Sequence, residues 1–428
     1  MKWMTPALYR VLTRCATPLA KCYLRRRARK QPDYLLHWDE RFATGTFPAP
    51  AHPCVWVHAV SVGETNAAAP LIAELMKRFP EASLLLTSMT PTGRDAASKI
   101  VARYPGRAYQ CYLPYDVPSY VEKFLAEIRP AVGVLMETEV WPNLIEAAKA
   151  QRIPLVLANA RESQKSSDKA EAFDRVMRPA FAGFDAVIAQ SQEDAARLVR
   201  RGVRPEVVSV AGSLKFDVSV PAEAKILATQ FKARRPLPIL LIASTREGEE
   251  ALFAPLLKSF TGKAIVLVVP RHPQRFNDVA QELLNAGLSL VRRSAYGSPL
   301  DIPAAAEVIL GDSMGEMAFY CAAADVTLMG GSFGNTGCQN LIEPASAGSP
   351  VVLGPSLYNF AKISADAIAM GAAFKTENAA AGVAQALKLI EDAALREKHH
   401  QAALRFAARY TGATQVTADV VAKFWPRR

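Results

Sequence analysis

The sequence predicts an α/β protein of two doubly wound halves behind a basic, amphipathic N-terminal segment. Three observations carry this reading. From Cys54 onward, short apolar runs of strand length alternate with helical patterns, the mark of βαβ units and a parallel sheet. The alternation pauses once, across 216–238, where Pro221, Pro236 and Pro238 accompany a charged stretch, and then resumes. At 428 residues, 50% hydrophobic and 21% charged, the chain is long enough for two globular domains with sizeable cores.

Charge defines the N-terminal segment. The formal net charge is +11, yet residues 1–30 hold nine basic residues and no acidic one, which leaves 42 basic against 40 acidic over the rest. A near-neutral body lacks the spread basic surface of a nucleic-acid-binding protein, so no nucleic-acid partner is expected. Arg10, Arg14 and Lys21 interrupt every apolar run after residues 3–9, so neither the ~20-residue stretch of a membrane span nor the apolar region of a signal peptide forms. On a helical wheel Leu8, Val11, Leu12, Cys15 and Leu19 share one stripe, while Arg10, Arg14, Lys21 and Arg25 recur on another and Pro18 is expected to kink the helix. Two readings follow: a helix lying in the headgroup layer of an anionic membrane, helped by the 25–30 cluster, or one packed on its own domain with a solvated basic edge. The six cysteines contain no C-x-x-C pair, which argues against a disulfide scaffold or a Cys-rich zinc site and suits a reducing compartment.

In the first half, strand-like runs stand at 55–59, 84–87, 132–136, 155–158, 186–189 and 207–211, separated by helical patterns at 67–78, 144–150 and 193–201. The second half repeats this at 239–243, 265–269, 308–310, 326–329 and 351–353, and ends in helical patterns at 379–390, 395–410 and 417–424. Two such domains are expected to face a cleft, with ligands beyond the carboxyl ends of the strands. None of the loops there reads G-x-G-x-x-G or G-x-x-x-x-G-K-[ST], so dinucleotide oxidoreductases and P-loop ATPases lose their main signature.

Several residues after those strands could carry chemistry. Glu64 follows a glycine at a strand-to-helix turn, where the helix dipole favours its ionised form; it is either a general base or a helix-capping residue. Glu137 and Glu139 follow the 132–136 run and are read as acceptor-binding or structural. Arg271 ends the 265–269 run, poised to grip phosphate or to make a surface ion pair. Ser313 and Glu316 have the spacing of a capping box, and Glu343 is placed one turn into the helix after the 330–337 glycine-rich loop, where a carboxylate suits a ribose.

Taken together, these segments resemble the 3-deoxy-D-manno-octulosonic acid (Kdo) transferases of lipopolysaccharide synthesis, two-domain GT-B glycosyltransferases. The resemblance is carried, in order along the chain, by Ser61-Val62-Gly63-Glu64, Thr90-Pro91-Thr92-Gly93, Glu137-Thr138-Glu139-Val140-Trp141-Pro142-Asn143, Asn159-Ala160-Arg161, Leu214-Lys215-Phe216-Asp217, Glu247-Gly248-Glu249-Glu250, Val269-Pro270-Arg271-His272-Pro273, Gly311-Asp312-Ser313-Met314-Gly315-Glu316 and Asn340-Leu341-Ile342-Glu343-Pro344. It implies a membrane-associating segment at 1–35, an acceptor domain at 36–217, a linker at 218–235 and a CMP-sugar-binding domain with C-terminal helices at 236–428. It implies inverting transfer of Kdo from CMP-Kdo to a lipid A precursor (lipid IVA) without a cofactor or metal, at the cytoplasmic face of the inner membrane with peripheral attachment. Glu64 becomes the catalytic base, and the CMP contacts fall on Pro270, Arg271, Met314, Gly315, Glu316, Asn340, Leu341, Ile342 and Glu343. Two positions depart from the family: Gln339 and Arg246 stand where a His is frequent, and Gln cannot titrate. The rival expectations are a GT-B enzyme using a UDP-sugar and a two-domain solute-binding protein, the latter disfavoured by the missing signal peptide pattern.

Overall fold

Runs of Val, Leu and Ile that are buried on both sides organise the chain into two parallel sheets. The computed structural model describes residues 4–162, 174–217 and 220–426. Two units form, Met1–Asp217 with Gly412–Arg428, and Val218–Thr411. The first carries β1 (Cys54–His58), β2 (Ser83–Ser88), β3 (Ala108–Tyr112), β4 (Val132–Met136), β5 (Leu155–Ala160), β6 (Ala186–Ala189) and β7 (Val208–Val210), in the order β3-β2-β1-β4-β5-β6-β7. The second carries β8 (Ile239–Thr245), β9 (Ile265–Pro270), β10 (Leu290–Arg292), β11 (Val308–Leu310), β12 (Val326–Met329), β13 (Val351–Leu353) and β14 (Ala373–Lys375), in the order β10-β11-β9-β8-β12-β13-β14. Every pairing is parallel. The strand order reverses between β1 and β4 and again between β8 and β12, so each unit has a switch point at which adjoining loops diverge.

The period of two along each strand builds a core on both faces. In the first unit Trp56, Leu85 and Leu135 pack one way, against Phe124 and Leu144, whereas Val57, Leu86 and Val134 pack the other way, against Leu71, Ile72 and Leu75. Each such fully buried side chain contributes roughly 1.5–3 kcal/mol.

All eleven strand-like runs form strands. The three strands that the sequence pattern missed, β3, β10 and β14, all lie at sheet edges. An edge strand keeps part of its side chains in water, as in Tyr109 and Gln110 of β3 and all three residues of β10, so the continuous apolar run disappears.

Three domain expectations need correction. The linker expected at 218–235 contains helix Ala222–Ala233, whose Phe231 packs edge-on against Phe319 at 5.4 Å; residues 218 and 219 lie outside the described residues. The C-terminal domain expected at 236–428 ends early, because residues 412–428 belong to the first unit. Helix Ala413–Ala422 buries Ala418 and Val421 with Leu71, Ile72 and Leu75 of helix Val62–Arg78, and Trp425 stacks on Phe79 at 4.4 Å. The 1–35 segment, of which residues 1–3 lie outside the described residues, is also part of the first unit. Its helix breaks at Ala16 into Pro6–Cys15 and Thr17–Ala28, with Pro18 in the first turn of the second, where a proline fits without loss. Tyr9 donates to Asp116 at 2.9 Å, Arg10 pairs with Glu146, and Leu24 is buried with Tyr34 and Phe42, while Val11, Leu12 and Leu19 stay exposed.

Asp217 takes the place of a helix cap for Ala413–Ala422, whose own N-cap, Gly412, has no side chain to do so. Its carboxylate accepts the Gly412 N–H at 2.7 Å and the Thr414 N–H. Asp217→Ala should therefore cost about 0.5–2 kcal/mol, read as a lower urea midpoint for the first unit. An unchanged midpoint would show that the carboxylate stabilises nothing there.

Candidate functional site

At the first switch point the loops after β1 and β4 bring three carboxylates together. Ser61 is the N-cap of helix Val62–Arg78, so Glu64 is its third residue and folds back on the turn. Glu64 Oε2 accepts the Val60 N–H at 2.7 Å, and Ser61 Oγ donates to Oε1 at 3.3 Å. Burial and the neighbouring Glu137 raise the Glu64 pKa, outweighing the two hydrogen bonds and Lys215. The stabilisation of the ionised form expected from the helix dipole is thus outweighed here, because desolvation is the larger effect.

Glu137 is the charge anchor of the site. Its side chain is 3% exposed and pairs with Lys215 at 2.6 Å and Arg161 at 2.7 Å, two cations that balance a carboxylate otherwise too costly to bury. The residue is held in the left-handed region, φ 57, a conformation unfavourable for any side chain and sustained by the surrounding bonds, including its N–H to the Ala158 carbonyl at 2.9 Å. Sequence reading quoted Arg161 and Lys215 only as motif residues; their pairing with Glu137 needs the β4, β5 and β7 loops to converge.

Glu139 has a different environment. Its Oε2 accepts the Trp141 indole N–H at 2.7 Å and lies 3.9 Å from His58 Nε2. His58 is completely buried on β1, and burial holds its pKa down at about 3, so the ring is neutral. Trp56 Nε1 donates to Thr87 Oγ1 at 2.9 Å, and the Thr87 hydroxyl is 2.9 Å from His58 Nδ1 but 3.5 Å from the Val57 carbonyl. The Thr87 hydroxyl thus ties Trp56 to the Nδ1 side of the ring, and Nε2, with no hydrogen-bond partner among the described residues, is the ring atom nearer Glu139. Burial, with Glu64 and Glu137 adding to it, pushes Glu139 up to about 7. His58 went unnoticed in the sequence, where it reads as one residue of an apolar strand.

In the second unit, the residues expected at the nucleotide lie at the carboxyl ends of β9, β11 and β12. Pro270 is the last residue of β9, and Arg271 is exposed, with its N–H on the Thr245 carbonyl at 3.0 Å. Met314 and Gly315 are exposed, and Gly315 sits at φ 83. The capping box expected from Ser313 and Glu316 is not formed: the helix begins at Met317, and the Ser313 hydroxyl bonds the Glu316 carboxylate itself, which also pairs with Arg293 at 2.7 Å. Asn340 Oδ1 accepts the Ile342 N–H at 3.1 Å. Leu341 and Ile342 are fully buried, backbone included, so the structure leaves neither of these two expected contacts open to a ligand. Glu343 is the second residue of helix Ile342–Ser346, not a turn further in; burial raises its pKa and the Arg271 charge offsets part of the rise. Among the described residues no group of three or more His, Cys, Asp and Glu is disposed to hold a metal ion.

The environment of Glu139 gives a pH signature. A carboxyl raised from 4.5 to about 7 keeps a proton that the unfolded chain has lost, so its contribution to stability falls as pH rises from about 4.5 to 7. His58, lowered to about 3, acts in the opposite sense below pH 6.5, so the readout is the difference between variants. Glu139→Gln should gain stability relative to the parent across that window, by up to about 3 kcal/mol at pH 8 compared with pH 4. A pH-independent difference in urea midpoints would remove Glu139 as the titrating group.

The chain is similar to known proteins over nearly its whole length. A family model described as 3-deoxy-D-manno-octulosonic-acid transferase (kdotransferase) matches residues 36–218. The 3-deoxy-D-manno-octulosonic acid transferase of Bordetella pertussis is 42% identical over 434 residues, 98% of this chain and 99% of its own. The enzyme of that name from Haemophilus influenzae is 29% identical over 426 residues, 98% of each chain. A solved glycosyltransferase from Rickettsia africae shares the fold at a TM-score of 0.52 and 12% identity, covering 88% of this chain and 100% of that one. With two seven-stranded α/β units of the GT-B kind and a relative matched end to end at 42% identity, the chain belongs to the 3-deoxy-D-manno-octulosonic acid transferase family and is a glycosyltransferase.

Proposed function

We propose that the protein transfers Kdo from CMP-Kdo to a lipid A precursor, lipid IVA, with inversion at the anomeric carbon and Glu64 as general base. The observation that carries the proposal is the state of Glu64: a carboxylate at the switch point, made more basic by burial and by Glu137, with no cation bonded to it among the described residues. A base is most effective when its pKa approaches the working pH. As the acceptor hydroxyl oxygen bonds to the anomeric carbon, its proton passes to Glu64, and the bond to the CMP phosphate breaks with its electron pair on the phosphate oxygen. Glu137 and Glu139 flank this point, where carboxyl groups suit sugar hydroxyls.

The donor is assigned to the second unit, with Arg271 stabilising the charge of departing CMP. The helices after β11 and β12 have seven and five residues, and the Ile342 N–H is already taken, so the guanidinium carries more of this than the helix ends do. No cofactor or metal enters the reading. Glu64→Gln should leave CMP affinity unchanged and lower turnover ~10²–10⁴-fold, measured by mass spectrometry of lipid products formed from CMP-Kdo and lipid IVA. Near-normal turnover would exclude Glu64 as the base.

A membrane-bound acceptor calls for attachment to an anionic surface, and the cytoplasmic face of the inner membrane is proposed. No helix among the described residues is long and apolar enough to cross a membrane. What supports peripheral attachment is the outward stripe of Val11, Leu12 and Leu19 beside the basic 25–30 cluster. Arg25 and Arg27 lie over the Trp38 and Tyr34 rings, so the variant of choice neutralises Arg26, Arg29 and Lys30. At ~1 kcal/mol per charge, sedimentation with anionic liposomes should fall markedly while CMP binding is kept. Equal sedimentation of parent and variant would sink the charge argument.

A further inference from the structure

The loops after β8 and β12 adjoin at the switch point of the second unit, where an α/β sheet ordinarily opens a crevice for a ligand. Here the crevice is filled from within. Glu249 is fully buried, and its carboxylate accepts four backbone N–H groups: Gly331 at 2.6 Å and Arg246 at 2.8 Å on Oε2, Phe333 at 2.9 Å and Gly334 at 3.1 Å on Oε1. Backbone N–H groups converging in this way form an anion nest. Gly331 makes it possible, since it sits at φ 73 and a Cβ there would overlap the Gly337 carbonyl.

The adjacent Glu250, also buried, accepts the Thr245 hydroxyl at 2.6 Å and pairs with Arg275 at 2.6 Å. Arg275 and the Arg271 N–H both donate to the Thr245 carbonyl, at 3.3 and 3.0 Å. Two neighbouring carboxylates therefore join the loops after β8, β9 and β12, and two of those loops lead to Arg271 and to Asn340–Glu343.

We infer that Glu249 is a positioning residue for donor binding: a built-in anion that occupies the β12 nest in place of a ligand phosphate and holds the donor loops in their binding arrangement. The inference rests on the reading of the second unit as the donor-binding unit. It also bears on the class of donor. With the nest taken, and a second anion beside a buried carboxylate repelled, the phosphate of the donor is held outside the nest, as suits a nucleoside monophosphate leaving group better than a pyrophosphate.

The test uses the full chain with two variants. Glu249→Ala empties the nest, and Glu249→Gln fills it with an uncharged group of the same shape. Amide hydrogen exchange at residues 331–334 and calorimetric CMP affinity are read with formate, or with chloride at the same ionic strength. In Glu249→Ala, exchange at 331–334 should quicken and CMP affinity should fall about tenfold or more, with formate restoring both. In Glu249→Gln, CMP affinity should fall and formate should have no effect. Donor KM should rise in both while turnover at saturating donor changes far less, a split that general unfolding would not produce. Wild-type CMP affinity in both variants, or a folded Glu249→Ala that formate does not restore, would overturn the inference. Should Glu249→Ala fail to fold, unchanged CMP affinity in Glu249→Gln overturns it alone. A parent protein that protects amides 331–334 but does not bind CMP would instead refute the donor reading and leave the nest standing.

Discussion

Parallel pairing sets the terms for everything else in this protein. A parallel strand buried on both faces admits few polar side chains along its length, and β1, β4, β5, β9 and β12 are buried throughout. Ionisable chemistry is driven to the ends, and because every pairing runs the same way, one end of each sheet collects the loops that lead into helices. At each reversal of strand order two such loops diverge and leave space. The catalytic candidates of the first unit and the donor candidates of the second are found at or beside these places.

The two switch points resolve the cost of buried charge in different ways. In the first, Glu137 is balanced by Lys215 and Arg161, whereas Glu64 and Glu139 receive only neutral donors and are pushed toward their protonated forms. One carboxylate is made stable so that its neighbours can be made basic. In the second, four backbone N–H groups satisfy Glu249 and a guanidinium satisfies Glu250, so these carboxylates hold loops together. A paired or fully bonded carboxylate organises structure, and an under-compensated one is a candidate for chemistry.

The N-terminal helices show a third balance. They are fastened by the Tyr9 hydroxyl donating to Asp116, by the Asn143 amide donating to the Thr13 hydroxyl and by the burial of Leu24, which leaves Val11, Leu12 and Leu19 in water. An apolar stripe facing outward costs solubility unless something else covers it. The docking of the segment on its own domain and the availability of that stripe are therefore compatible, although the two readings of the sequence set them against each other.

By itself the sequence determined the interior and the ordered blocks. Central strands were legible as unbroken apolar runs because both their faces are buried, and the positions of Glu64, Glu137, Glu139 and Arg271 just beyond those strands were legible from the same runs. What only the tertiary structure decided depends on groups distant in the chain. The edge strands β3, β10 and β14 lack a continuous apolar run, and the helix within 218–235 was hidden by its charge and by the prolines that flank it, Pro221 and Pro236. Helix Ala413–Ala422 returns to the first unit because Ala418 and Val421 find a surface on helix Val62–Arg78. The pairing of Glu137 with Lys215, the approach of His58 to Glu139, and the seating of Glu249 in the 331–334 nest arise the same way. Local patterns report how a residue is buried, but the sign and strength of a charge interaction depend on which partners folding brings within a few ångströms.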